Sequence, residues 1–160
     1  MKLKKILAAI DGSEASNLAL DFAASLAKNY SASLTILTVV EPLNPTPSPT
    51  IPPGVVEPYL KEMKAYHKGI LEKAMDRVAR ANKRVDVNTI MLHGRAWEEI
   101  VGECRNGGYD LLVMGSRGLG GIKGFILGSV SKRAVEEAPC PVLIVKSTDE
   151  QEPQAAHDST

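Results

Sequence analysis

Apolar residues fall along this chain in two alternating rhythms. Five short runs rich in branched side chains, Leu3–Ile10, Ala32–Val40, Arg84–Leu92, Asp110–Gly115 and Pro141–Lys146, read as strands. Within them ILTVV, DLLVMG and PVLIV are nearly continuous rather than alternating. Strands buried on both faces look like this, which points to a parallel sheet covered by helices. Between the runs the spacing changes to steps of three and four. Ala15, Leu18, Ala19, Phe22 and Leu26 form one helical stripe, and Leu60, Met63, His67, Ile70, Leu71, Ala74 and Val78 a longer one. Trp97, Ile100, Val101 and Cys104 form a third; Val130, Ala134 and Ala138 form a fourth, closed by Pro139. Strand and helix alternate throughout, so the pattern predicts an α/β domain built from βαβ units.

Two segments stand outside this rhythm. Residues 42–58 hold seven of the ten prolines, with Gly54 among them, and predict a long extended loop beside the second strand. It reads either as a flap over a site or as an inert surface insertion. The tail 147–160 is polar and acidic, and its composition predicts disorder. The domain is therefore expected to span residues 1–146.

At 160 residues the chain fits one domain. Its 19 Lys and Arg balance 19 Asp and Glu, which argues against a general nucleic-acid binder or a polybasic membrane-surface protein. The balance conceals a division. Four acids (Asp149, Glu150, Glu152, Asp158) lie in the tail, leaving 19 bases against 15 acids, a net of +4, in residues 1–146. Cys104 and Cys140 are 36 positions apart with no Cys-x-x-Cys pair, the pattern of buried thiols in a reducing compartment rather than of a disulfide framework. The apolar stretch Ile6–Ile10 ends at Asp11, too short for a signal sequence, and no window approaches the ~18 residues of a membrane span. These features predict a cytoplasmic protein.

Common catalytic signatures are absent. The chain has no Gly-x-x-x-x-Gly-Lys-Ser/Thr loop, no Gly-x-Gly-x-x-Gly fingerprint and no Gly-x-Ser-x-Gly elbow. His67, His93 and His157 lack metal-ligand spacing, and His67 falls on a helical stripe, as a packing residue would. One segment stands apart. Between Gly115 and Gly128 six of the thirteen glycines occupy fourteen positions, where the fourth strand ends and the last helix begins. Glycines allow positive φ and close approach of backbone amides to an anion. The helix starting near Ser129 offers unpaired N–H groups and the positive end of its dipole, with Ser129 as N-cap or phosphate donor. Arg117 and Lys123 add charge, and no acid occurs between Asp110 and Glu136. The segment reads as a phosphate site; the alternative is a plain flexible connection.

The second candidate is Asp11, followed by Gly12-Ser13 at the end of the first strand. In open parallel sheets ligands settle beyond the carboxyl ends of strands where the winding reverses. If strands one and four are neighbours there, Asp11 and the glycine loop flank one crevice. Asp11 then faces the polar edge of a nucleoside, caps the first helix, or does both.

The spacing Gly115-x2-Gly118-x9-Gly128-Ser129 resembles the ATP-binding pattern of the universal stress protein family. ILAAIDGSEAS, LTILTVVEP and DLLVMGSRGLGGIKGFILGSVSKRAVEEAPCPVLIVK extend the likeness over residues 3–146. The resemblance implies a doubly wound, Rossmann-like three-layer fold with five parallel strands in the order 3-2-1-4-5. It implies adenine near Asp11 and the backbone of Val39, with ribose and phosphates against Met114, Gly115, Arg117, Gly118, Gly128, Ser129 and Val130. It also implies ATP or another adenine nucleotide with Mg2+ or Mn2+, and a homodimer formed through Pro141–Val145. The implied role is a nucleotide-dependent switch in a stress response, with at most slow hydrolysis, since the sequence offers no evident general base. An ATPase, a phosphotransferase or a protein-interaction module is the alternative. The proline-rich segment departs from the family pattern and leaves the adenine side open.

Overall fold

The computed structural model of the protein describes residues 2–42, 53–81, 84–119 and 127–147. Strands and helices alternate along it: β1 (Lys5–Ala9), α1 (Glu14–Tyr30), β2 (Ser33–Val40), α2 (Pro53–Ala81), β3 (Val87–His93), α3 (Ala96–Gly107), β4 (Leu111–Gly115), α4 (Ser129–Glu137) and β5 (Val142–Val145). The five strands are parallel in the order β3-β2-β1-β4-β5. The chain winds outward from β1 to β3, crosses back through α3, and continues from β4 to β5. The doubly wound fold expected from the sequence is the one observed.

The two faces of the sheet make two cores. Ile6, Ala8, Leu34, Ile36 and Val113 point towards α1 and α2. Leu7, Ala9, Leu37, Leu112 and Met114 point towards α3 and α4. Adjacent residues of β1, β2 and β4 thus supply opposite cores, which is why their sequences are apolar without alternation. Ile6, Leu7, Leu34, Ile36, Leu37 and Leu112 are completely buried.

Three local readings are corrected. Helix α1 buries Ala15 and Ala19 of the expected stripe but leaves its Phe22 55% exposed. It lays Ala19, Leu20, Ala23, Ala24 and Ala27 on the sheet, with Leu18 and Leu26 at the margin of the core. Alanine carries little weight in a hydrophobic pattern, yet it lets helix and sheet backbones approach closely. The loop expected over 42–58 gives way to α2 at Pro53. Proline suits the first helical position, where its N–H would have no partner; Pro58 withholds only the bond to the Gly54 carbonyl, in exposed first turns where water substitutes. Residues 43–52 lie outside the described residues, as do 148–160, all but the first residue of the expected tail. Finally, Cys104 is buried but Cys140 only half-buried; both are free thiols. Burial, with Cys140 alongside, pushes the Cys104 thiol up to about 12.

His67 is the packing residue its stripe suggested, 8% exposed on α2. Its Nδ1 lies 2.7 Å from Thr38 Oγ1, so one buried hydrogen bond ties α2 to β2. Burial holds the imidazole below its ordinary pKa of 6.5, opposed in part by the charge of Asp11. The unfolded chain therefore takes up the proton first as pH falls. This contribution to stability is complete above pH 6.5 and is lost below it, down through the folded-state value. Urea unfolding at pH 7.5 and 5.5 is expected to show a loss of stability that is smaller in His67→Gln; an equal loss in both proteins would contradict the assignment.

Candidate functional site

Pairing of β1 with β4 places Ala9 opposite Met114, and pairing with β2 places Ala9 opposite Leu37. Continuing each register by two residues sets Asp11 level with Ser116 on one side and Val39 on the other. The main chain follows this arrangement: Ile10 N donates to Leu37 O at 2.8 Å, and Ser116 N to Val145 O at 2.8 Å. Asp11, Val39 and the start of the glycine loop thus meet at the carboxyl ends of the three central strands, where the winding reverses.

Asp11 is not the cap of α1. Ser13 is, accepting from Ser16 N at 3.2 Å. Asp11 stands two residues earlier in a turn that requires Gly12 at φ +85°, and its Oδ1 accepts from Ser13 N at 3.0 Å. Its Oδ2 accepts from Leu119 N, also at 3.0 Å, across the crevice. The same turn approaches the loop a second time, with Ser13 Oγ 3.5 Å from Arg117 O.

The glycines of the loop have separate reasons. Among the described glycines positive φ occurs at Gly12, Gly94 and Gly108, so Gly115, Gly118 and Gly128 are not required for left-handed backbone. A Cβ on Gly115 would come within 2.9 Å of the Ala15 carbonyl carbon, Ala15 Cβ and Ser16 N. That glycine lets β4 pack on the start of α1. A Cβ on Gly118 would collide with Asp11 Oδ2. One on Gly128 would meet only ordinary contacts, 3.5 Å from Arg117 Cα and Ser116 O. Packing within the protein therefore accounts for two of the three.

Helix α4 begins at Ser129 with Gly128 as its N-cap, correcting the cap expected at Ser129. Among the described residues no side chain caps it. Its first amides and its dipole thus face the crevice without a carboxylate or hydroxyl from the cap position. Gly128 N donates to Ser116 O at 2.8 Å, and Ser129 is exposed in the first helical position. Met114 is 5% exposed and belongs to the core beneath; Val130 is half-buried against that core. Gly120, Gly121, Lys123 and Gly124 lie outside the described residues.

Sequence reasoning missed Ser131. Its buried hydroxyl lies 2.9 Å from Gly115 O and 3.0 Å from Ser116 O, clamping the start of α4 to the end of β4. Its place three residues before the buried Ala134 was the available signal.

With the geometry in place, the model for the universal stress protein family matches residues 2–146. The chain belongs to that family. Universal stress protein YxiE of Bacillus subtilis is 40% identical over 147 residues, spanning 89% of this chain and 98% of that one. Among solved structures, universal stress protein UspA from Lactobacillus plantarum superimposes with a TM-score of 0.82 at 25% identity, covering 91% of this chain and 99% of its own. A universal stress protein in complex with cAMP gives a TM-score of 0.70 at 27% identity, covering 92% and 100% respectively.

In this universal stress protein the glycines separate by experiment. Gly115→Ala is expected to cost roughly 1–3 kcal/mol through overpacking against α1. Gly128→Ala should cost less than about 1 kcal/mol, as a change at an N-cap. Chemical denaturation without added ligand checks both, and a reversed order would refute the division of roles.

Proposed function

We propose that this universal stress protein binds ATP, or another adenine nucleotide, and that occupancy acts as a switch in a stress response. In this reading adenine lies against Asp11 and the backbone of Val39. Ribose and phosphates meet the backbone around Met114, Gly115, Arg117, Gly118, Gly128, Ser129 and Val130. The observation that carries the reading is the uncapped start of α4: it stands at the strand-order reversal, beside a glycine whose absent side chain the protein's own packing does not explain. The cAMP complex of a relative agrees with an adenine nucleotide as the class of ligand. Among the described residues no group of three or more His, Cys, Asp or Glu could hold a metal ion. In this proposal Mg2+ or Mn2+ is held through the nucleotide's phosphates.

Hydrolysis, where it occurs, is slow in this proposal, and the protein acts through its bound and unbound forms. The functional domain is residues 1–146 and the acidic tail 147–160 lies outside it. No helix among the described residues is long and apolar enough to cross a membrane, which agrees with a cytoplasmic setting. Strand β5 lies at the edge of the sheet, paired with β4, and Val142, Leu143 and Ile144 are each only half-buried. A homodimer through Pro141–Val145 would cover them.

Millimolar ATP with Mg2+ is expected to raise Tm by about 5–10 °C at a hundredfold excess over Kd. Gly128→Ala should keep the ligand-free Tm within about 4 °C and weaken ATP at least about tenfold. Absence of any nucleotide-dependent shift would sink the proposal. Light scattering should give twice the monomer mass; a monomer at micromolar concentration would remove the assembly part alone.

A further inference from the structure

In the proposed site Asp11 faces adenine, yet both oxygens of its carboxylate already hold the protein together. Oδ1 accepts from Ser13 N in its own turn, and Oδ2 from Leu119 N, 108 residues away in sequence. A carboxylate shared by two backbone amides makes charge-assisted bonds, stronger than neutral ones. Beside the second bond stands Gly118, and any Cβ there would run into Oδ2, with Asp11 Cγ only 3.5 Å away. Gly118 is not among the glycines with positive φ. An alanine there would have to displace the carboxylate, while the backbone conformation does not oppose it. Leu119 adds little packing to hold this stretch, because it is 65% exposed.

We infer that Asp11 is a positioning residue for the glycine loop: its carboxylate fastens the Gly118–Leu119 peptide to the β1–α1 turn, and position 118 is glycine to admit that carboxylate. The inference deepens the nucleotide reading, on which its affinity measurement rests. One side chain then serves both ends of the ligand. A donor on the base side that draws on Asp11 Oδ2 acts directly on the peptide that leads into the phosphate side.

A double-mutant cycle of Asp11→Ala and Gly118→Ala tests this. Without nucleotide, Gly118→Ala is expected to lower Tm by roughly 2–10 °C in the native background. In the Asp11→Ala background the loss should fall to less than about a third, because the obstructing atom is gone. With ATP and Mg2+, Gly118→Ala should weaken binding about tenfold in the native background and less than about threefold in the other. Equal losses in the two backgrounds would overturn the inference. Should Asp11→Ala not fold, Asp11→Ser shortens the side chain and keeps one acceptor, giving a second background. Asp11→Asn provides an independent signature. It has one acceptor oxygen for two amides, so the Leu119 amide resonance should shift and its hydrogen exchange accelerate; an unchanged Leu119 amide would refute the clamp. If no form binds ATP, the nucleotide proposal falls, while the ligand-free melting cycle and the Leu119 amide still decide the role of Asp11.

Discussion

Hydrogen bonding between β1 and β4 joins two halves of the chain that wind in opposite directions. Ile6 to Ala9 lie against Leu111 to Met114 in parallel register, although more than a hundred residues separate them. Helices cannot close over the gap where the winding reverses, so the carboxyl ends of these strands open into a crevice. The turn after β1 and the loop after β4 share its walls. Burial supplies the driving force, because β1 and β4 place alternate residues in two different cores.

From that pairing, smaller interactions fix the rim. Ser131 reaches down to the carbonyls of Gly115 and Ser116 and holds the start of α4 over the end of β4. Asp11 reaches across to Leu119. His67 and Thr38 join α2 to β2 below the same rim. Ser131 and His67 each join consecutive elements, whereas Asp11 reaches a residue 108 positions away.

The fold was legible because doubly buried strands leave continuous apolar runs and helices leave three-four spacing. What misled was residue size. In α1 the large side chains marked a stripe that includes exposed Phe22, while the alanines that touch the sheet are neutral in any pattern. Proline misled in the opposite sense, for Pro53 starts a helix as readily as it ends one. At the rim, the expected meeting of Asp11 with the glycine loop could be read from strand order, but the reason for each glycine could not. A glycine required by a neighbouring helix, as Gly115 is, looks the same in sequence as one where a Cβ would meet only ordinary contacts, as at Gly128. Which oxygen of Asp11 meets which amide depends on strand order and on a partner 108 positions away.

The bare start of α4 has a consequence for how this chain could change. Serine, aspartate or asparagine at position 128 would cap the helix and satisfy an amide that now lacks a side-chain partner among the described residues, a gain of roughly a few tenths of a kcal/mol. Selection for stability alone would drift towards such residues. Under the proposed function, the added oxygen would stand where a phosphate is received, and an aspartate would repel it. Glycine at 128 then records a compromise, in which the last helix is left weaker than its sequence could make it so that its amides stay available to an anion from outside.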